Sequence, residues 1–252
     1  MISDPEGSVL ALFIMFCRIG GCMMAMPGLA SARVPVQIRL FVAVAISLAI
    51  LPVMWGTIYP KVTGGDPALY VRLIIGELVI GIMFGLIARF YTLGLQFAGT
   101  MIAMSIGFSA PGAGDILEDT PESQLTNMIS FGGLMLLFMM DFHHIMFRAI
   151  IDSYSVMPIG GIPDSQKMLI SLTDTLRDTF MIMLRLASPF LLFGLMFNIS
   201  IGLINKLAPQ IPIYFISTPY MLMGGLFLVY LSIAAMVRQF ADAFPAIFHA
   251  GG

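Results

Sequence analysis

The chain has 252 residues, 59% hydrophobic and only 10% charged, with a mean hydropathy of +0.97 and a formal net charge of −2. A soluble domain of this length carries about 25% charged residues, so this much apolar side chain needs a non-aqueous environment. The slight negative charge argues against nucleic acid as a partner, because that requires a basic stripe.

The N-terminal MISDPEGS has two acids and no basic region, unlike a cleavable signal peptide, so the first apolar tract is expected to stay. A bilayer-crossing helix needs about 20 mainly apolar residues. Ser8–Ala30 qualifies, and so does Leu40–Ile58. Cys17 and Cys22 lie at i, i+5 in the first tract, on different sides of a helix, and read as buried thiols, neither disulfide nor metal pair. Leu69–Ile106 is too long for one span unless it bends or divides, and Arg89 falls near its middle. Met128–Ile151, Phe180–Ile204 and Ile211–Val237 complete six apolar tracts, or seven segments if the third divides. Tract length and the scarcity of alternation predict helices throughout. The linkers Ser31–Arg39, Tyr59–Ala68, Gly107–Ser123, Ser153–Thr175 and Asn205–Gln210 are rich in Pro, Gly and Asp. Pro27, Pro52, Pro189 and Pro219 fall inside tracts and are expected to bend or end helices there. Gly81 and Gly85 form a G-x-x-x-G pattern, with Gly76 nearby, which lets backbones approach closely within the chain or between chains.

Basic residues do not give a simple orientation. Arg33 and Arg39 mark the first linker as cytoplasmic, yet alternation through six spans then puts Lys61, Lys167, Arg177 and Arg238 outside and only Lys206 inside. Either the span count is not six or the helices do not cross a bilayer in the simple manner.

Charges inside the tracts are Arg18, Glu77, Arg89, Asp141, Arg148, Arg185 and Arg238. Asp141, His144, Arg148 and Asp152 share one helix face, with Arg148 and Asp152 at i, i+4. This stripe reads as a self-paired or solvated helix end, or as a face toward partner subunits or an aqueous pore. A metal or proton-relay site on Asp141, His143 and His144 lacks an H-x-x-x-H or H-E-x-x-H spacing, so no metal is expected. No cofactor motif occurs, and no enzyme activity is expected: there is no phosphate loop, and Ser109 lies outside a G-x-S-x-G motif. The 22 methionines read as apolar filler or as an adaptable seal.

The segment GFSAPGAGDILEDTP, Gly107–Pro121, has three glycines, two prolines and three acids. Gly107, Gly112, Gly114 and Pro111 forbid a continuous helix. Asp115 with Glu118 fits a helix-start box, and Thr120–Pro121 fits an N-cap with proline at N1 of the next helix.

Four ordered blocks carry a family resemblance: CRIGGCMMAMPGLASARVPVQIRLFVAVAISLAILP (Cys17–Pro52), GELVIGIMFGLIARFYTLGLQFAGTMIAMSIGFS (Gly76–Ser109), MMDFHHIMFRAIIDSYSVMPIGG (Met139–Gly161) and NISIGLINKLAPQIPIYFISTPYMLMGG (Asn198–Gly225). In this order and spacing they resemble the FliR family of flagellar export-gate proteins, with counterparts in injectisomes. The resemblance implies an all-α, integral-membrane-type bundle of bent helical hairpins, a single export-gate domain over 1–252. Residues 1–200 would be FliP-like and about 201–252 would contribute a FliQ-like hairpin. It implies helical assembly with FliP-like and FliQ-like subunits, beside FlhB-like and FlhA-like components, in the inner membrane at the flagellar basal body. Unfolded flagellar proteins would pass through the channel, and much of the assembly would sit above the membrane plane, its apolar tracts facing sister subunits as well as lipid. By position, 107–122 matches the family's channel plug, implicating Gly107, Phe108, Ser109, Pro111, Gly112, Gly114, Asp115, Ile116 and Leu117. The competing class is a permease or carrier subunit for a small solute, which broken helices and buried charges also fit.

Overall fold

The computed structural model describes residues 4–30, 34–62, 67–108, 123–160 and 165–250. Seven helices account for nearly all of them: α1 (Pro5–Ala25), α2 (Val36–Val62), α3 (Pro67–Ser105), α4 (Gln124–Met139), α5 (Phe142–Val156), α6 (Ser165–Leu207) and α7 (Ile213–Ala250), with no strand among the described residues. Five of them are long and apolar enough to cross a membrane, six if α4 and α5 form one broken span.

The break comes in the fourth tract, not the third. α3 runs through Arg89 unbroken; this tract has no proline, and the Arg89 side chain is exposed on the helix surface, so the charge does not interrupt the backbone. Between α4 and α5, Asp141 takes the left-handed conformation at φ 55°, which a short polar side chain tolerates better than most. The expected linker 153–175 is largely helix, because α6 starts at Ser165. Met168, Thr175 and Thr179 are buried on one face of that extension, while Asp174, Arg177 and Asp178 are exposed on the other, an amphipathic pattern of modest hydropathy. α7 likewise runs past Val237, carried by the buried pair Phe240 and Phe244 at i, i+4. α1 ends just before Pro27, but α2 continues through Pro52 and α6 through Pro189. Those two prolines do not end their helices.

The chain forms two compact units. The first comprises Met1–Phe90, Asp141–Leu176 and Phe248–Gly252; the second comprises Tyr91–Met140 and Arg177–Ile247.

In the first unit, α1 is the innermost helix, with Ala11, Ile14, Met15 and Ile19 fully buried. Its contact with α3 is backbone to backbone. A Cβ added at Gly81 would collide with the Arg18 carbonyl, one at Gly85 would lie 2.5 Å from the Cys22 carbonyl, and one at Gly21 would lie 2.9 Å from the Leu78 carbonyl. The G-x-x-x-G pattern is therefore used inside the chain, where small residues let two helices touch along their axes. α2 packs on α1 and buries only Ala43, Ser47, Leu51, Ile58 and Val62, a single stripe; the rest of this apolar helix faces outward, with Phe41 75% and Val53 78% exposed. Polar ties fix the ends. The Tyr59 hydroxyl donates to Asp4 Oδ2 at 2.8 Å, and Asp4 Oδ1 caps α1 by accepting from the Gly7 N–H at 3.1 Å. These two donors hold the Asp4 carboxyl below the usual carboxylate range, with Tyr59 the larger cause. Cys17 and Cys22 are buried and free.

In the second unit, Tyr91 donates its hydroxyl to the Phe240 carbonyl and stacks on the Phe240 ring at 4.8 Å. Ile102, Ala103, Ile106, Leu125, Ala187 and Phe190 form a buried cluster. Gly194 permits the close approach of α6 to α3, since a Cβ there would lie 2.5 Å from the Ser105 carbonyl.

Candidate functional site

The segment singled out in the sequence leaves α3 through a defined stop. Gly107 has φ +76°, its N–H bonds to the Met104 carbonyl at 3.3 Å, and the Phe108 N–H bonds to the Ala103 carbonyl at 2.8 Å. These are the two bonds of a Schellman cap, which requires a residue free of Cβ strain at the Gly107 position. The motif usually brings a hydrophobic contact from the residue after the glycine, and half-buried Phe108 does pack on the Ile102–Ala103–Ile106 cluster. On the far side, the N-cap of α4 is Ser123: its hydroxyl accepts from the Thr126 N–H at 3.1 Å. The helix start thus lies three residues beyond the expected Thr120 cap, because Ser123 supplies the side-chain acceptor that the first free N–H groups need. Leu125, the second residue of α4, joins the same cluster as Phe108. The segment is therefore mounted on a single apolar cluster at both ends. Of the candidate plug residues, Gly107 and Phe108 are described; Ser109, Pro111, Gly112, Gly114, Asp115, Ile116 and Leu117 lie outside the described residues, as do Glu118, Thr120 and Pro121.

Of the polar stripe, His144, Arg148 and Asp152 lie on α5, while Asp141 stands just before it at the left-handed N-cap and not on the helix face. Asp141, His144, Arg148 and Asp152 are all exposed, with Arg148 Nε 3.9 Å from Asp152 Oδ2 and His144 Nδ1 3.8 Å from Asp141 Oδ1. The opposite face buries Phe142, Met146, Ile150, Ser153 and Tyr154. Asp141, His143 and His144 bring one possible ligand atom each within 4.8 Å of one another. They do not make a finished metal site. A metal on His143 Nε2 leaves Nδ1 as a proton donor that needs an acceptor, and His143 Nδ1 is buried with no hydrogen-bond partner among the described residues.

The sequence marked Arg18 and Glu77 as charges at depth but not as partners. In the structure they form the polar centre of the first unit. Arg18 is fully buried and Glu77 is 2% exposed. Arg18 Nε bonds to Glu77 Oε2 at 2.6 Å and Nη2 to Oε1 at 3.0 Å, the two-pronged geometry a guanidinium makes with a carboxylate. Nη1 donates to Ser153 Oγ at 2.9 Å, Nη2 also donates to the Met157 carbonyl at 3.1 Å, and the guanidinium carbon stands 3.8 Å from the centre of the Tyr154 ring. Residues 59 and 135 apart in the chain meet here, so spacing offered no signal beyond the cost of an unpaired charge in an apolar tract. A second cation completes the arrangement: Lys61 Nζ donates to the Ile159 carbonyl at 2.8 Å. The turn Met157-Pro-Ile-Gly160, with Gly160 at φ +84°, is thus held by cations from α1 and α2 at the C-terminal end of α5, where the helix dipole favours positive charge.

These features define a polytopic, all-helical membrane-type protein whose deepest charges are paired within the chain and whose long helices keep much of their apolar surface outward. The chain belongs to the family of bacterial export proteins, family 1, which matches residues 9–247. Among its relatives, the flagellar biosynthetic protein FliR of Caulobacter vibrioides is 28% identical over 234 residues, covering 92% of this chain and 91% of that one. The protein of the same name from Escherichia coli is 26% identical over 212 residues, covering 84% and 80%, and that from Aquifex aeolicus is 22% identical over 251 residues, covering 96% and 93%.

Proposed function

We propose that the chain is a component of the flagellar protein export apparatus in the bacterial inner membrane, and that the segment 107–122 closes the export channel at rest. The observation that carries the first part is the family match along nearly the whole chain, together with relatives that all bear the flagellar biosynthetic name. In this reading the chain does no bond-making chemistry. It joins FliP-like and FliQ-like subunits in a closed helical assembly, with FlhB-like and FlhA-like components beside it, and exported flagellar proteins pass through unfolded. The FliP-like part is residues 1–200 and the FliQ-like hairpin lies in about 201–252.

The gating part rests on the segment's composition and its mounts. Within 107–122 the large apolar side chains are only Phe108, Ile116 and Leu117, so little burial resists displacement. Its two ends are fixed by the Gly107 cap and the Ser123 cap on one cluster, which gives a moving element firm hinges. Irregular backbone at membrane depth is tolerated where it lines a protein cavity. Deleting 109–119, which leaves both mounts intact, tests this. The expected result is an assembled complex whose membranes leak ions and small solutes. An assembled complex with an unchanged barrier would refute the gating role.

A further inference from the structure

Of the charges singled out inside the apolar tracts, two arginines stand apart from the buried network. Arg185 on α6 and Arg238 on α7 line one groove of the second unit, together with Ala234, Ala235, Asp242 and Ala243. Both arginines are exposed and make no ion pair among the described residues, and Asp242, four residues from Arg238, does not pair with it either. Both lie in helices apolar enough to cross a membrane, within the stretches Gln166–Leu207 and Ile213–Phe244. Charges in such helices are costly unless they meet a partner or a water-filled cavity. The most apolar windows of those helices are only 28% and 6% buried by the chain itself, so their outward faces await something else.

We infer that this groove is the docking site for an apolar helix of another export-apparatus chain, and that the helix carries a carboxylate which pairs with Arg185 and Arg238. This rests on the reading that the chain works in a multi-chain assembly. Three properties of the groove select the occupant. Its charge is two guanidiniums against one carboxylate, a surplus of one positive charge, which calls for an acid. A guanidinium binds a carboxylate through two parallel hydrogen bonds, which also fixes the helix's register. Ala234, Ala235 and Ala243 leave room for a helix backbone to come close, as small residues allow in membrane helix pairs, and Ile182 and Leu231 beside them offer apolar contact. An anionic lipid phosphate would satisfy the charge too, but it gains nothing from the room the alanines leave for a helix backbone.

The test is made on the full chain co-expressed with the other export-apparatus components. A photoreactive residue replaces Ala235, and cross-linked peptides are identified by mass. The expected product is a peptide from an apolar helix of another component that contains Asp or Glu. Cross-linking to lipid alone, or to no chain, overturns the proposal. In parallel, Arg185→Glu/Arg238→Glu is expected to reduce co-purifying components at least tenfold, Arg185→Lys/Arg238→Lys to reduce them much less, and an acid-to-lysine change in the cross-linked helix to restore them. Wild-type co-purification by the double Glu variant overturns the inference, as does a loss that no such change restores. If the unaltered chain itself purifies without companions, the broader functional reading fails instead, so the two failures are distinguishable.

Discussion

Replacing Arg18 with Met removes the guanidinium while keeping most of the aliphatic volume. It takes away both hydrogen bonds to Glu77, the bond to Ser153 Oγ, the bond to the Met157 carbonyl and the contact with the Tyr154 ring. The dominant loss is the carboxylate of Glu77, left 2% exposed without its counter-charge. Breaking a buried pair by removing one member costs about 3–5 kcal/mol, against a total stability of about 5–15 kcal/mol for a typical domain. The single variant should therefore lose about a fifth or more of the stability of the first unit. Arg18→Met/Glu77→Leu removes both charges at once and should recover most of that loss, because an apolar pair of similar volume is often no worse than a buried ion pair. The Met157 carbonyl and Ser153 hydroxyl still lose a donor, which leaves about 1–3 kcal/mol unrecovered. Denaturant titration of the purified chain in detergent, run as a double-mutant cycle, reads these values. A single variant within about 0.5 kcal/mol of wild type, or a double variant as unstable as the sum of the singles, would refute the reasoning.

Three further outcomes follow from the packing. Gly81→Val should lower the unfolding midpoint, with an overpacking cost of about 1–3 kcal/mol, because the new side chain meets the Arg18 backbone; Gly132→Ala should leave it almost unchanged, since a Cβ there meets nothing within 4 Å. Gly107→Ala forces a Cβ into a φ of +76° and should loosen the α3 stop by about 1–2 kcal/mol, seen as faster amide exchange at Phe108. The Asp4 carboxyl sits below its usual range in the folded chain, so its contribution is fully present above the unfolded-state value and is lost as pH falls through the lowered one. The first turn of α1 should therefore exchange faster in acid, and Tyr59→Phe should move that loss to higher pH; an unchanged profile in the Tyr59→Phe variant would count against it.

Composition and tract length were enough to read an all-helical, membrane-type chain and to place most helices within a few residues. The boundaries that moved did so for local reasons. The extension of α6 to Ser165 is amphipathic and of lower hydropathy than the tracts, so a search for bilayer-length apolar runs passes over it. The break at Asp141 depends on one residue's left-handed backbone, for which an Asp is a weak signal beside a Gly. Gly107, by contrast, was legible as a helix stop because glycine is the residue that position needs. The Gly81–Gly85 pattern announced a close helix contact without saying whether it lay within the chain; the facing Arg18 and Cys22 carbonyls supply that answer. The pairing of Arg18 with Glu77 required the fold, because a lone charge in an apolar tract implies a partner but does not identify it.

The most direct measurement is the mass of the particle obtained when this chain is co-expressed with the other export-apparatus components and purified through a tag on its own terminus. The account predicts a particle of fixed mass far above that of the 27.4 kDa chain, holding the chain together with the other export components. A lone monomer or dimer that binds a small solute would contradict it.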